Sequence, residues 1–172
     1  MAKPSSIFIV DDDPMQLSML KDHLEAMSNF KIQTFSTGED ALSKIGEKPD
    51  IVFLDYNLSS QKPDAMDGLE VLREIKSQSP ESEVIMLSGQ DKIEVAVDTM
   101  KYGAFDYIVK GESAFYRAEK GVYNLFKLAK LKRSAGMYKK LTITFGVALL
   151  IMIILVVVLK SKGLITDMAG WM

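Results

Sequence analysis

Five residues carry most of the chemistry legible in this sequence. Asp11 with Asp12, then Asp55, Ser88 and Lys110 each follow at once on a short apolar run: Ile7 to Val10, Ile51 to Leu54, Val84 to Leu87 and Tyr107 to Val109. Gathered in one place, the three aspartates repel one another and Lys110 supplies a single positive charge, so a divalent cation is the natural neutraliser. Magnesium suits such a set because it is held by a few carboxylates, keeps several waters and bridges to phosphate oxygens. A carboxylate can also be a nucleophile toward phosphorus, with the metal, a lysine and a hydroxyl positioning the group and stabilising its charge. Taken singly, each residue has a plainer reading: aspartates after strands are turn and cap residues, Ser88-Gly89 is a turn, Lys110 a solvated lysine and Tyr107 a core ring. Their joint spacing favours the pocket.

Continuous apolar runs of strand length suit a parallel sheet covered on both faces. Lys31 to Phe35 adds a fifth strand. Amphipathic stretches of helical length lie between and after the strands, at Met15 to Met27, Glu39 to Ile45, Leu69 to Lys76, Ile93 to Tyr102 and Phe115 to Arg133. Strand then helix, repeated, predicts right-handed crossovers and a doubly wound α/β fold on a five-stranded parallel sheet, with ligands beyond the carboxyl ends of the strands. The five residues lie at that edge. Asp13 with Pro14 is expected in the loop opening the first helix. Met15, Met19, Met27, Met86 and Met100 fall among apolar positions and are expected to serve as adaptable core packing. His23 has no carboxylate or histidine near it in sequence that would make a ligand set, and is expected at the surface or half-buried.

Five motifs, in order and in register, carry a family resemblance: Ile-Phe-Ile-Val-Asp-Asp-Asp-Pro at 7 to 14, Phe-Leu-Asp-Tyr-Asn-Leu at 53 to 58, Met-Asp-Gly at 66 to 68, Leu-Ser-Gly at 87 to 89 and Phe-Asp-Tyr-Ile-Val-Lys at 105 to 110. From about Ser6 to Arg133 the chain resembles the receiver domain of bacterial two-component response regulators. The resemblance implies a flavodoxin-like (βα)5 fold, with Asp55 as phosphoacceptor, Asp12 as the direct Mg2+ ligand, Asp11 assisting partly through water, and the backbone of Asn57 completing the coordination. It also implies that Ser88 hydrogen-bonds the phosphoryl group, that Lys110 pairs with one of its oxygens, and that Tyr107 is the aromatic whose rotamer follows phosphorylation. Asn57 and Gln90 stand at rim positions on which phosphoryl lifetime depends in the family. The implied partners are a cognate histidine kinase or phosphotransfer protein and a downstream membrane or cytoplasmic protein. Two departures stand out. Ser59 to Ala65 intervenes between Leu58 and Met66, most simply as a tolerated loop insertion, since added loop length costs little closure entropy; the sharper reading is a loop that screens partners or water from the pocket. Gly111 stands where the family usually has proline, which bears on the geometry at Lys110.

Leu141 to Leu159 contains no charged residue. As a helix it would span about 28 Å, close to the hydrocarbon thickness of a bilayer, and it has no polar face with which to sit at a protein surface. A single membrane span is expected. Lys127, Lys130, Lys132, Arg133, Lys139 and Lys140 precede it and only Lys160 and Lys162 follow, so the positive-inside rule places the N-terminal domain in the cytoplasm and the tail with Trp171 on the far side. The expected location is the bacterial inner (cytoplasmic) membrane. No signal-peptide pattern precedes the first strand, so the apolar segment is the expected targeting element, inserted as in tail-anchored proteins. The basic residues before it suit anionic membrane lipid. Thr142, Gly146 and Ala148 offer small surfaces through which helices could approach as a homodimer. The expected layout is a receiver at 1–133, a basic linker at 134–140 with a break at Ser134-Ala135-Gly136, a transmembrane helix at 141–160 and a short tail at 161–172.

A chain of 172 residues can hold one such domain plus an anchor, its net charge of -2 gives no support to nucleic-acid binding, and zero cysteines exclude disulfides and thiolate metal sites. Three functions compete. The first is a phosphorylation-controlled switch at the membrane that passes its state to a partner through the Ile93 to Lys110 surface. The second is a membrane-anchored adaptor or structural subunit of a membrane complex that uses the receiver as a docking module. The third is a magnesium-dependent phosphatase of the haloacid-dehalogenase-like kind, against which Asp55-Tyr56-Asn57 places an amide where that family's acid-base carboxylate stands. The first is favoured, which makes the chain a phosphoacceptor signalling domain rather than an enzyme.

Overall fold

In the computed structural model, which describes residues 5–28, 30–58 and 65–161, the five apolar runs are strands. They are β1 (Ser6–Val10), β2 (Lys31–Phe35), β3 (Ile51–Asp55), β4 (Glu83–Ser88) and β5 (Asp106–Val109). All pair in parallel, in the order β2-β1-β3-β4-β5. β1, β3 and β4 are almost wholly buried, which is why they read as unbroken apolar runs; β5 is buried at its two central residues, and β2 lies at one edge and is half-exposed.

The connecting helices begin where their sequences supply caps. α1 (Pro14–Met27) opens on Asp13, whose carboxylate accepts the Met15 amide at 2.8 Å, with Pro14 at the first helical position. Thr37 caps α2 (Gly38–Lys44). Asp67 and Glu70 form a reciprocal capping box at the start of α3 (Gly68–Gln78). α4 (Ile93–Lys101) begins without a side-chain cap. α5 starts at Ala114 and runs to Ser161.

Alternate strand residues feed two cores. Phe8, Val10, Val52, Leu54, Val84, Met86 and Tyr107 pack with Ala41, Val71, Leu72 and Ile75 from α2 and α3, against which Val95 and Ala96 of α4 also rest. Ile7, Ile9, Phe53, Ile85 and Ile108 take the opposite face of the pleat, where α1 buries Leu20 and Leu24 and α5 buries Ala118, Val122 and Leu125.

The chain divides into two compact units, one ending at Leu125 and one beginning at Phe126. In the second, Thr142–Lys160 is a 19-residue stretch long and apolar enough to cross a membrane, and none of it is buried within the protein. The expected break at Ser134-Ala135-Gly136 does not occur, because α5 is helical throughout these residues. A glycine inside a helix costs only about 1 kcal/mol relative to alanine, and the leucine, lysine, arginine and methionine around it are good helix formers. A second correction concerns the methionines. Met86 is in the core as expected, but Met15, Met19 and Met100 are exposed. Their helices turn other apolar residues to the sheet.

Candidate functional site

Strand register assembles the site. β1 and β3 pair Val10 with Leu54, so the next residue of each, Asp11 and Asp55, come side by side. β3 pairs Asp55 with Leu87, one residue before Ser88, and β4 pairs Ser88 with Val109, one residue before Lys110. The four residues therefore form a row across the carboxyl edge. It opens beside β1, where the chain crosses from β2 on one side to β3 on the other, as expected for a ligand crevice in this topology.

Lys110 closes the row. Its Nζ donates to Asp11 Oδ2 at 2.7 Å and lies 3.1 Å from Asp55 Oδ2. Gly111 in the usual proline position thus leaves the ammonium in place between the two carboxylates. Asp11 and Asp55 are buried, Asp12 is partly buried, and one carboxylate oxygen from each lies within 4.8 Å of the others, the metal-ligand grouping found among the described residues. Asp55 Oδ1 is buried and accepts no hydrogen bond from the described residues. A buried anionic oxygen without a donor is costly, and a hard oxygen-binding cation beside Asp11 and Asp12 would satisfy it. The residues present therefore fit a magnesium ion.

The electrostatics follow from that crowding. Burial pushes the Asp55 carboxyl above its ordinary range; the Lys110 charge pulls it down, Asp11 pushes it up, and the Lys110 hydrogen bond and Asn57 backbone amide lower it further. Burial also works to lower the Lys110 pKa. The hydrogen bond to Asp11 and the charges of Asp55 and Asp11 outweigh it, so the ammonium is held above its usual value. Asp55 is thus a strained anion beside a firmly charged lysine.

Ser88 is fully buried, and its Oγ accepts the Gln90 amide at 3.1 Å. Tyr107 lies in the core, with its hydroxyl donating to the Gln90 carbonyl at 2.6 Å. Asn57 is exposed two residues beyond β3, and its Oδ1 accepts from Gln90 Nε2 at 3.4 Å. Gln90 therefore ties Ser88, Tyr107 and Asn57 together. No local pattern announces this role, since two of its partners lie 17 and 33 residues away.

The inserted Ser59 to Ala65 loop falls almost wholly outside the described residues, but its exit is anchored. The Met66 amide donates to Glu39 Oε1 at 2.9 Å, the Asp67 box follows, and a Cβ at Gly68 would collide with the Asp55 carbonyl oxygen. Only glycine lets α3 start this close to the end of β3. His23 is half-buried as expected, and its Nε2 lies 3.4 Å from Glu119 Oε2, a carboxylate brought to it by the fold from α5.

Similarity to known proteins covers this same region. The response regulator receiver domain model matches residues 7–115. The nitrogen assimilation regulatory protein NtrX of Azorhizobium caulinodans is 38% identical over 105 residues, 60% of this chain but only 22% of its own length. The chemotaxis protein CheY of Listeria monocytogenes is 34% identical over 125 residues, covering 72% of this chain and 98% of its own. Among solved structures, the CheX-CheY-BeF3-Mg2+ complex of Borrelia burgdorferi matches with a TM-score of 0.61 and 28% identity, over 72% of this chain and 90% of the matched one. With the sheet order, the row of Asp11, Asp55, Ser88 and Lys110 and these matches in agreement, the chain belongs to the response regulator receiver domain family of two-component signalling.

Proposed function

We propose that this chain is a membrane-anchored receiver that takes a phosphoryl group on Asp55 with Mg2+ and relays its state by protein-protein contact. The observation that carries the reading is the unpartnered buried oxygen of Asp55 beside Asp11 and Asp12, with Lys110 on its other oxygen. Asp11, Asp12, Asp55 and the Asn57 backbone would hold the ion, which supplies charge neutralisation for the incoming phosphoryl group. An Asp55 carboxylate oxygen attacks phosphorus, forming an acyl phosphate, while the bond from phosphorus to the donor breaks (P–N for a phosphohistidine, P–O for an acyl phosphate) and the donor atom keeps its electron pair and takes up a proton. Lys110 shifts from the two carboxylates toward a phosphoryl oxygen, and the Ser88 hydroxyl donates to another. Ser88 shares Gln90 with Tyr107, so its movement reaches the aromatic ring and, through the loop after β4, the start of α4.

A donor histidine kinase or phosphotransfer protein is supported by family membership, and magnesium by the donor set and by the ion in the related Borrelia complex. The anchor is supported by Thr142–Lys160, and its orientation by the lysines before it, with the receiver in the cytoplasm and the span in the inner membrane. Mass spectrometry after incubation with a small phosphodonor and Mg2+ tests the chemistry: one phosphate on the wild-type chain and none on Asp55→Asn is expected. Equal incorporation in both would remove Asp55 from its role.

A further inference from the structure

Two helices of the receiver start with the same cap pattern, an aspartate followed three residues later by a side chain long enough to reach back: Asp13 with Gln16 on α1, and Asp67 with Glu70 on α3. Only the second pattern closes. Glu70 Oε2 accepts the Asp67 amide at 3.0 Å, and Asp67 Oδ1 accepts the Glu70 amide at 2.8 Å. On α1 the Asp13 amide is already taken, because it donates to Asp11 Oδ1 at 3.0 Å, and the Asp13 carboxylate accepts from Met15 rather than from Gln16. The Gln16 side chain is thus released from the cap. Half-buried, it has no hydrogen-bond partner among the described residues.

What Gln16 faces instead is a cavity of about 20 Å3. Its polar lining comes from Gln16, Asp11 and Lys110, and its apolar walls include Leu20, Leu87 and Phe115. Neither Asp55 nor Ser88 lines it, so the cavity adjoins Lys110 on a side apart from the atoms that meet phosphorus. The Lys110 ammonium has three protons to donate. Asp11 at 2.7 Å and Asp55 at 3.1 Å engage two of them.

We propose that this cavity is a site for one ordered water, held between Gln16 and the third proton of Lys110, and that Gln16 acts through it as a positioning residue for the lysine. A water needs roughly 10–15 Å3 and two to four polar partners, and the cavity supplies room for one and three polar side chains. The hydrogen bonds balance: the water accepts from Lys110 and donates to the Gln16 side-chain oxygen and to the Asp11 carboxylate. The positioning role rests on the phosphoacceptor reading of Asp55; the water site does not. Before transfer, two carboxylates share the ammonium. During transfer it gives them up for a phosphoryl oxygen, so the remaining partner matters more than it did before. An interaction that strengthens in this way raises the maximal rate rather than the affinity for the donor.

A crystal structure of the full-length chain in detergent should show one water within hydrogen-bond distance of Lys110 Nζ and the Gln16 amide. Gln16→Met keeps the length of the side chain and its helix preference but removes its polar atoms, and should remove the water. Phosphate uptake from acetyl phosphate with Mg2+ should then reach a maximal rate about ten-fold below that of the wild-type chain, the consequence of leaving a charged N–H without its partner. The half-saturating acetyl phosphate concentration, the Mg2+ affinity and the unfolding midpoint should stay as they are. Absence of a water at this position in the wild-type crystal overturns the site. An unchanged maximal rate overturns the positioning role, as does a rate that falls together with Mg2+ affinity and the midpoint, since Gln16 would then only support the fold. A wild-type chain that takes no phosphate on Asp55 would sink the phosphoacceptor reading, and the crystal would still decide the water site.

Discussion

Isoleucine, leucine and valine dominate both β3 and the 142–158 stretch of α5, yet the two have opposite surroundings. In β3 every residue is buried between helices. Along 143–158 the large apolar side chains are exposed. Burying such a side chain is worth ~1.5–3 kcal/mol, so leaving more than a dozen of them half-wetted would cost on the order of 10–20 kcal/mol, more than a typical domain's entire stability. The receiver unit completes its own core; the apolar stretch does not, and under the proposed membrane reading lipid would cover it. On that reading the same composition would encode folding in one region and location in the other.

The strongest way to break that comparison is removal of everything after Arg133. The truncated chain is expected to move completely from pelleted membranes to the soluble fraction and to keep a cooperative melt. Full-length chain recovered without detergent in the soluble fraction would dissolve the distinction. A matched pair of truncations sharpens it: Phe53→Ala should cost the receiver about 3–5 kcal/mol, whereas Phe145→Ala should leave its denaturant midpoint unchanged. An equal loss from both would mean that the apolar stretch belongs to the same core.

Smaller effects probe the charged edge of the receiver. Lys110→Ala leaves Asp11 and Asp55 buried without their cation and is expected to cost about 2–4 kcal/mol in metal-free buffer, with part of the loss recovered on adding Mg2+. No recovery across a magnesium titration would count against the ion site. Asp55→Asn should act in the opposite direction, stabilising the metal-free unit near neutral pH. Burial raises the Asp55 pKa above 3.8, so the folded unit holds that proton more tightly than the unfolded chain. Stability from this group is fully present below pH 3.8 and is lost as pH rises through the raised value. The advantage of Asp55→Asn should therefore shrink as the solution is acidified, and an advantage that grows instead would reverse the assignment.

The receiver was largely legible because strand cores and site residues share one rule: an apolar run ends, and a polar residue stands at its carboxyl end. Asp11, Asp55, Ser88 and Lys110 could be placed from that alternation once the sheet was taken as parallel. Asp13 and Pro14 announced the start of α1 through local chemistry. The Gln90 ties and the His23 and Glu119 pair were not legible, because their partners are set by packing between distant segments. Continuity of α5 through Gly136 was hidden for another reason: one glycine is a weak break, and its flanking residues favour helix. Exposure of Met15 and Met19 was missed because apolar character alone does not say which side of a half-buried helix faces the sheet.

Lys110 and Asp11, joined by a side-chain hydrogen bond, are 99 positions apart in the chain. Closing so long a loop is entropically expensive and comes late, after the shorter βα pairings have repaid their own ordering. A chain emerging N-terminus first holds Asp11, Asp12 and Asp55 long before β5 arrives with Lys110. Until then the three aspartates have no lysine to hold them together. Assembly order therefore acts as a check on maturity, since an unfinished chain carries Asp55 without a complete site around it.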